Sequence, residues 1–267
     1  MIDFNATKSV VCLLVPTKFW ESDRVASNLA ERLGELIDLS VNEQAALTGL
    51  EQRERTLRRG AVLLREHDRL TELYVLKRGT MMSYVILPDG SRQILRFLFR
   101  GDLVAMAGLV YRSSPETVMA LTECAVAPLD RSAVADLAVD HPRLSALLVA
   151  AGQIERVALT DRLAGLGRTS AKARVAALLI EIRNRLRTLD PTINGEFTLG
   201  LTQEEIGDAT GLTAVHVNRM LRQLEEDGLI ARDGGRFTMI NEVGLARTAH
   251  HVERKAGLDL GWLPEAR

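Results

Sequence analysis

Between Ala214 and Arg222 the chain places Ala214, Val215, Asn218, Arg219 and Arg222 at intervals of i, i+1, i+4, i+5 and i+8, so a helix here presents all five on one side. These residue types suit one kind of chemistry, hydrogen bonding to the edges of stacked bases. An arginine can bridge O6 and N7 of guanine, an asparagine can pair with adenine, and Ala or Val methyls can meet a thymine methyl. Arg219 is the first candidate for base reading, with Asn218, Val215 and Ala214 beside it. Thr202, Gln203, Thr213, His216, Arg222 and Arg236 surround that face and are candidates for phosphate oxygens, which fix orientation without reading sequence. Gln203 would act together with the free amides at the start of its helix.

The elements that must hold these residues are legible nearby. Thr202 and Glu205 have the S/T-x-x-E spacing of a capping box, which opens a helix. Ile206 and Ala209 face inward from it, Gly211 marks a sharp turn, and Thr213 caps a second helix over 213–227. Val217, Met220, Leu221 and Leu224 form the apolar stripe of that second helix. Leu229–Arg232 and Arg236–Ile240 flank Asp233-Gly234-Gly235, a hairpin signal that places Arg232 and Arg236 near a backbone. The pattern is a winged helix-turn-helix. Two other readings share it: an ordinary helical hairpin, and a small-molecule-binding regulatory module acting through protein contacts, for which Arg219→Ala would leave activity intact.

The chain has 267 residues, enough for about two domains. Its 46% hydrophobic and 26% charged residues are those of a globular protein. A net charge of −1 offers no global attraction to phosphate, so any such attraction is local to the start of the 213–227 helix, away from Glu225, Glu226 and Asp227. Cys12 and Cys124 stand far apart with no C-x-x-C, which argues against a metal or iron–sulfur site, and no cofactor is expected. The run Val10–Val15 is too short to span a bilayer, so a cytoplasmic protein without membrane partners is expected. No paired carboxylates in a recognisable frame, Ser/His/Asp set or phosphate-binding glycine loop suggests an enzyme.

Residues 1–22 carry no strong period and form an extension of unknown role. Residues 23–130 read as a β domain with flanking helices: Val25, Leu29, Leu33 and Leu36 at helical spacing, Ser40 with Glu43 as a capping box, then short apolar runs punctuated by Gly60, Gly79, Asp89-Gly90 and Gly101-Asp102. Within 131–167, after His141-Pro142, Leu144, Leu147, Ala151, Ile154 and Ala158 alternate by three and four, as a dimerisation seam does. The hinge falls near Leu166–Thr169, the winged domain occupies 168–250, and 251–267 is a tail without a role. The fold class is α+β.

This order resembles the Crp/Fnr superfamily of bacterial transcription regulators from about Leu36 onward. The motifs that carry the resemblance are Tyr74-Val75-Leu76 with Gly79, Pro88-Asp89-Gly90, Gly101-Asp102, Leu212 to Leu224, and Gly228-Leu229-Ile230, and Val215-His216-Val217-Asn218-Arg219 looks like the branch whose recognition helix carries His-Val-Asn-Arg. The resemblance implies a cyclic-nucleotide-binding-type β-roll, a long dimerisation helix and a DNA-reading winged helix. It implies as partners double-stranded DNA, a second copy of the chain, RNA polymerase, and an effector of unknown identity. The carboxylate and arginine that hold cyclic AMP in such rolls fall here at Met106 and near Ser113-Ser114-Pro115, just beyond Arg112, so cyclic AMP is not expected in the usual mode. The N-terminal cysteine cluster of the oxygen-sensing branch is missing. His67, the one histidine in the β domain, reads as a surface residue rather than a haem ligand. Ala214 and Val215 depart from the residues common at those positions, which implies an altered half-site.

Overall fold

The computed structural model describes residues 27–193 and 195–265, so the Val10–Val15 run and the expected helix start around Ser22–Val25 lie outside the described residues. Helix α1 (Asn28–Gly34) is capped by Ser27, and the Glu51 carboxylate closes its amino end by accepting from Ser27 Oγ at 2.7 Å, Asn28 N at 3.1 Å and Leu29 N at 2.8 Å. Helix α2 (Val41–Leu50) begins on the expected Ser40/Glu43 capping box.

The β-roll follows, built from two four-stranded antiparallel sheets. One has the order β1 (Arg55–Leu57), β8 (Cys124–Leu129), β3 (Leu73–Arg78), β6 (Leu103–Val104); the other β2 (Val62–Leu64), β7 (Thr117–Ala120), β4 (Met81–Ile86), β5 (Arg92–Leu98). Strand β3 reads as an unbroken apolar run because both its faces are covered. Tyr74 and Leu76 point between the sheets, whereas Leu73 and Val75 point outward into a second cluster formed with α1, α2 and the next two helices. The β4–β5 hairpin turns at the expected Asp89-Gly90 and pairs from Met81↔Leu98 to Ile86↔Arg92. Met81 and Met82 are fully buried core residues on opposite faces of β4.

Helix α3 (Arg131–Asp140) leads to α4 (Pro142–Arg168), whose 27 residues extend about 40 Å. The expected seam is partly covered within the chain itself. Leu144 and Leu147 are 0% exposed, packed in the outward cluster of their own chain with Leu29, Leu33 and Leu73, and so are not free to meet another subunit. Ala151 and Ile154 are half-buried and Ala158 is exposed. The exposed stripe lies elsewhere on α4: Val149, Gly152, Arg156, Leu159 and Leu163, again at three-four spacing.

After Thr169-Ser170 the C-terminal domain begins with α5 (Ala171–Leu189), followed by β9 (Glu196–Thr198), α6 (Gln203–Thr210), α7 (Ala214–Glu226), the β10–β11 hairpin (Ile230–Asp233, Arg236–Met239) and α8 (Glu242–Thr248). Strand β9 is not among the elements expected from the sequence. It pairs with β11 and brings Phe197 onto Phe237, ring centroids 6.0 Å apart. Among the described residues, no helix is long and apolar enough to cross a membrane.

Candidate nucleic-acid interface

The capping box that opens α6 is formed in full. Thr202 Oγ1 accepts from Glu205 N at 3.1 Å and Glu205 returns the contact by accepting from Thr202 N at 2.7 Å. Helix α6 ends on Gly211 in the left-handed region (φ 67°), where a side chain would be strained. One residue unnoticed in the sequence matters as much. A Cβ on Gly207 would stand 2.4 Å from the Leu212 carbonyl oxygen, so only glycine lets the turn close this tightly over α6. Thr213 then caps α7, its hydroxyl accepting from His216 N at 3.3 Å.

Helix α7 divides as its periodicity requires. Val217, Met220, Leu221 and Leu224 are buried, while Val215 is 82% exposed and Arg219 and Arg222 are exposed beside half-buried Ala214 and Asn218. The structure therefore places the four base-reading candidates, together with Arg222, on one face of the helix. Arg219 Nη2 lies 2.9 Å from His216 Nε2. A guanidinium has no acceptor, so the imidazole must receive this hydrogen bond and carry its own proton on Nδ1. Thr202 and Gln203 are exposed at the amino end of α6.

The two wing arginines differ. Arg236 is 61% exposed at its side chain and pairs with Glu196 at 2.8 Å. Arg232 is largely covered and pairs with Glu225 at 2.6 Å, which ties the hairpin to the end of α7 rather than leaving the guanidinium for phosphate. The hydrogen bond from Arg232 holds the Glu225 carboxyl below its ordinary range, against a smaller opposing push from burial.

The winged domain is docked on the β-roll by named contacts. Arg92 Nε donates to Asp208 at 2.7 Å, Gln93 Nε2 donates to the Asp208 carbonyl at 2.8 Å, and Arg162 of α4 donates to the Ala209 carbonyl at 3.0 Å, so β5 and α4 together grip the last turn of α6. At the other end Arg185 of α5 pairs with Asp102 and stacks over Phe99 at 5.4 Å. Between these pairs, Met82, Ile94, Phe97 and Phe99 share one apolar cluster with Val175, Leu179, Ile206 and Val217.

A groove of about 470 Å³ runs between β5, the Pro115-Glu116 turn and α4. Arg96 stands in it, 16% exposed, between Glu116 at 3.2 Å and Glu155 of α4. Burial alone would lower its pKa, but the two carboxylates outweigh that and raise it. Ser114 is buried and donates to the Glu116 carbonyl at 2.6 Å, while Met106 lies in a short 3-10 helix, Met106–Leu109. His67 is exposed, and no cluster of metal-ligating side chains occurs among the described residues. Burial raises the pKa of the Cys124 thiol, which donates to the Thr80 carbonyl at 3.3 Å.

Two families match the chain: residues 54–141 the cyclic nucleotide-binding domain, and residues 173–248 the Crp-like helix-turn-helix domain. The chain is 28% identical over 220 residues to the fumarate and nitrate reduction regulatory protein of Escherichia coli, covering 82% of this chain and 87% of that protein. Among solved structures, FixK2 from Bradyrhizobium japonicum superposes with a TM-score of 0.67 at 27% identity, covering 73% of this chain and 96% of that one. A CooA mutant from Carboxydothermus hydrogenoformans, at 20% identity and a TM-score of 0.64 over 85% of this chain and 97% of that one, shares the fold.

Proposed function

We propose that this chain is a transcription regulator of the Crp/Fnr family, as its cyclic nucleotide-binding and Crp-like helix-turn-helix matches and its likeness to the fumarate and nitrate reduction regulatory protein support, and that it acts as a homodimer reading a pseudo-palindromic duplex site through α7. Two recognition helices related by a two-fold axis fit half-sites about one helical turn apart. The observation that carries the reading is the outward face of α7, where Ala214, Val215, Asn218 and Arg219 stand together and the described residues leave Val215 and Arg219 open to solvent. Arg219 takes guanine, Asn218 adenine and the two small residues a thymine methyl. The segment Val215-His216-Val217-Asn218-Arg219 supports placement in the His-Val-Asn-Arg branch. His216, its Nε2 occupied by Arg219, has its Nδ1–H left for phosphate, and Thr202, Gln203, Thr213, Arg222 and Arg236 take phosphates around it.

The dimer is assembled through Val149, Gly152, Arg156, Leu159 and Leu163, the stripe that α4 leaves exposed. The β-roll does not hold cyclic AMP in the usual mode, since Arg96 is already committed to two carboxylates and Met106 offers no acceptor for a ribose hydroxyl. The effector is unassigned, and RNA polymerase is the expected partner on DNA. Selection of bound duplexes from a randomised pool, wild type against Arg219→Ala at fixed salt, tests the reading. A two-fold symmetric motif that loses one base preference in the variant supports it; no enriched motif, or an unchanged one in the variant, overturns it.

A further inference from the structure

The chain does not stop where the helix-turn-helix match ends at residue 248. Ala249 closes the C-terminal core at 8% exposure and His251 N donates to the Ala246 carbonyl at 2.9 Å. From there the backbone leaves the winged domain. Arg254 places Nε and Nη2 on the two carboxylate oxygens of Asp161, at 2.5 and 2.7 Å, across 93 residues of sequence. Leu263 is half-buried against the cluster that contains Leu29, Leu73, Leu144 and Leu147, on the far side of the β-roll domain from α7.

The two anchors are compatible in length. The segment from Arg254 to Leu263 can extend about 30 Å, and α4 from Leu147 to Asp161 is about 21 Å long, so the tail can run back along α4. Leu147, Ala151, Ile154, Ala158 and Asp161 follow one another by four, three, four and three, so the anchors share one face of the helix. The exposed stripe from Val149 to Leu163 lies roughly on the opposite side, which leaves the proposed subunit interface uncovered.

We propose that residues 249–265 form an intramolecular strap: they leave the winged domain, pass the α4–α5 link at Thr169-Ser170 from outside, and fasten at Asp161 and at the helical cluster, limiting how far the winged domain can swing. The strap is anchored by charge near the link and by apolar contact at its far end. The Arg254 hydrogen bonds, the largest influence on it, hold the Asp161 carboxyl below its ordinary range, against a smaller opposing push from burial. The strap is independent of which DNA sequence is read.

The test is hydrogen exchange on the full-length, DNA-free protein, comparing wild type with Asp161→Arg, Arg254→Asp, the double exchange and Leu263→Ser. Each single charge reversal is expected to speed exchange in residues 255–265 and across 165–173 by roughly two- to five-fold, the range for an exposed paired charge. The double variant returns toward wild type, and Leu263→Ser loosens the distal segment while leaving the Asp161 end protected. Single variants that exchange like wild type, or a double variant whose acceleration equals the two singles combined, would overturn the strap. Because no DNA is present, neither result bears on the base-reading assignment.

Discussion

Arg219 and Arg222 lie on the same face of α7 but differ in what they are expected to touch, and that difference is measurable. If Arg222 neutralises phosphate, Arg222→Ala weakens binding alike on every sequence and lowers the slope of log affinity against log salt by about 0.9 per subunit. Arg219→Ala instead relaxes one position of the motif, at a cost of about 1–3 kcal/mol against the preferred base. A salt titration on matched and mismatched duplexes separates the two. The Glu225–Arg232 pair bears on stability rather than recognition. A carboxyl whose pKa is lowered on folding stabilises the wing above its unfolded value, about pH 4.3, and that contribution fades as the pH falls through the lowered value. Acid unfolding monitored at the wing should therefore shift to higher pH in Arg232→Ala, and an unchanged midpoint would remove the pair from the account. The sequence showed Arg232 as a cation beside a turn, but its partner sits in another element, and nothing local announces such a pairing.

Single elements divide into those whose signals are local and those whose meaning depends on what covers them. The capping boxes at Ser40/Glu43 and Thr202/Glu205 were legible because both partners lie within one turn. The stripe on α4 was not. Period alone shows that Leu144 and Leu147 face one way, but the helices α1 to α3 decide that this way is inward. The outward stripe contains Gly152 and Arg156, which dilutes its apolar signature. The two stripes make opposite predictions. Leu163→Asp should split the proposed dimer in sedimentation while leaving the monomer folded, whereas Leu147→Ala should cost about 2–5 kcal/mol of stability by opening a core cavity. If Leu147→Ala dissociates a folded dimer instead, the assignment of the faces is reversed. Strand β9 escaped notice for a related reason: three residues flanking a loop carry too little pattern, and its role comes from pairing with β11.

At the scale of the molecule, the β-roll and the winged domain are joined by Arg92–Asp208, Arg162–Ala209 and Arg185–Asp102 around a common apolar cluster. The order of domains was legible from turn spacing and capping; their docking was not, because its contacts join residues 47 to 116 positions apart. A double-mutant cycle of Arg92→Ala and Asp208→Ala should return a coupling of about 1 kcal/mol or more in thermal unfolding, with one cooperative transition for both domains. Two separate transitions would mean that the domains melt independently. The shared cluster also bears on how the two domains can be recombined. Because Met82, Ile94, Phe97 and Phe99 share one apolar cluster with Ile206 and Val217, a chimera that grafts this winged domain onto a foreign β-roll would inherit a mismatched seat unless the outer face of β4 and β5 travelled with it. The unit of exchange is then the winged domain together with one wall of the β-roll, a boundary that cuts through a sheet rather than along a linker.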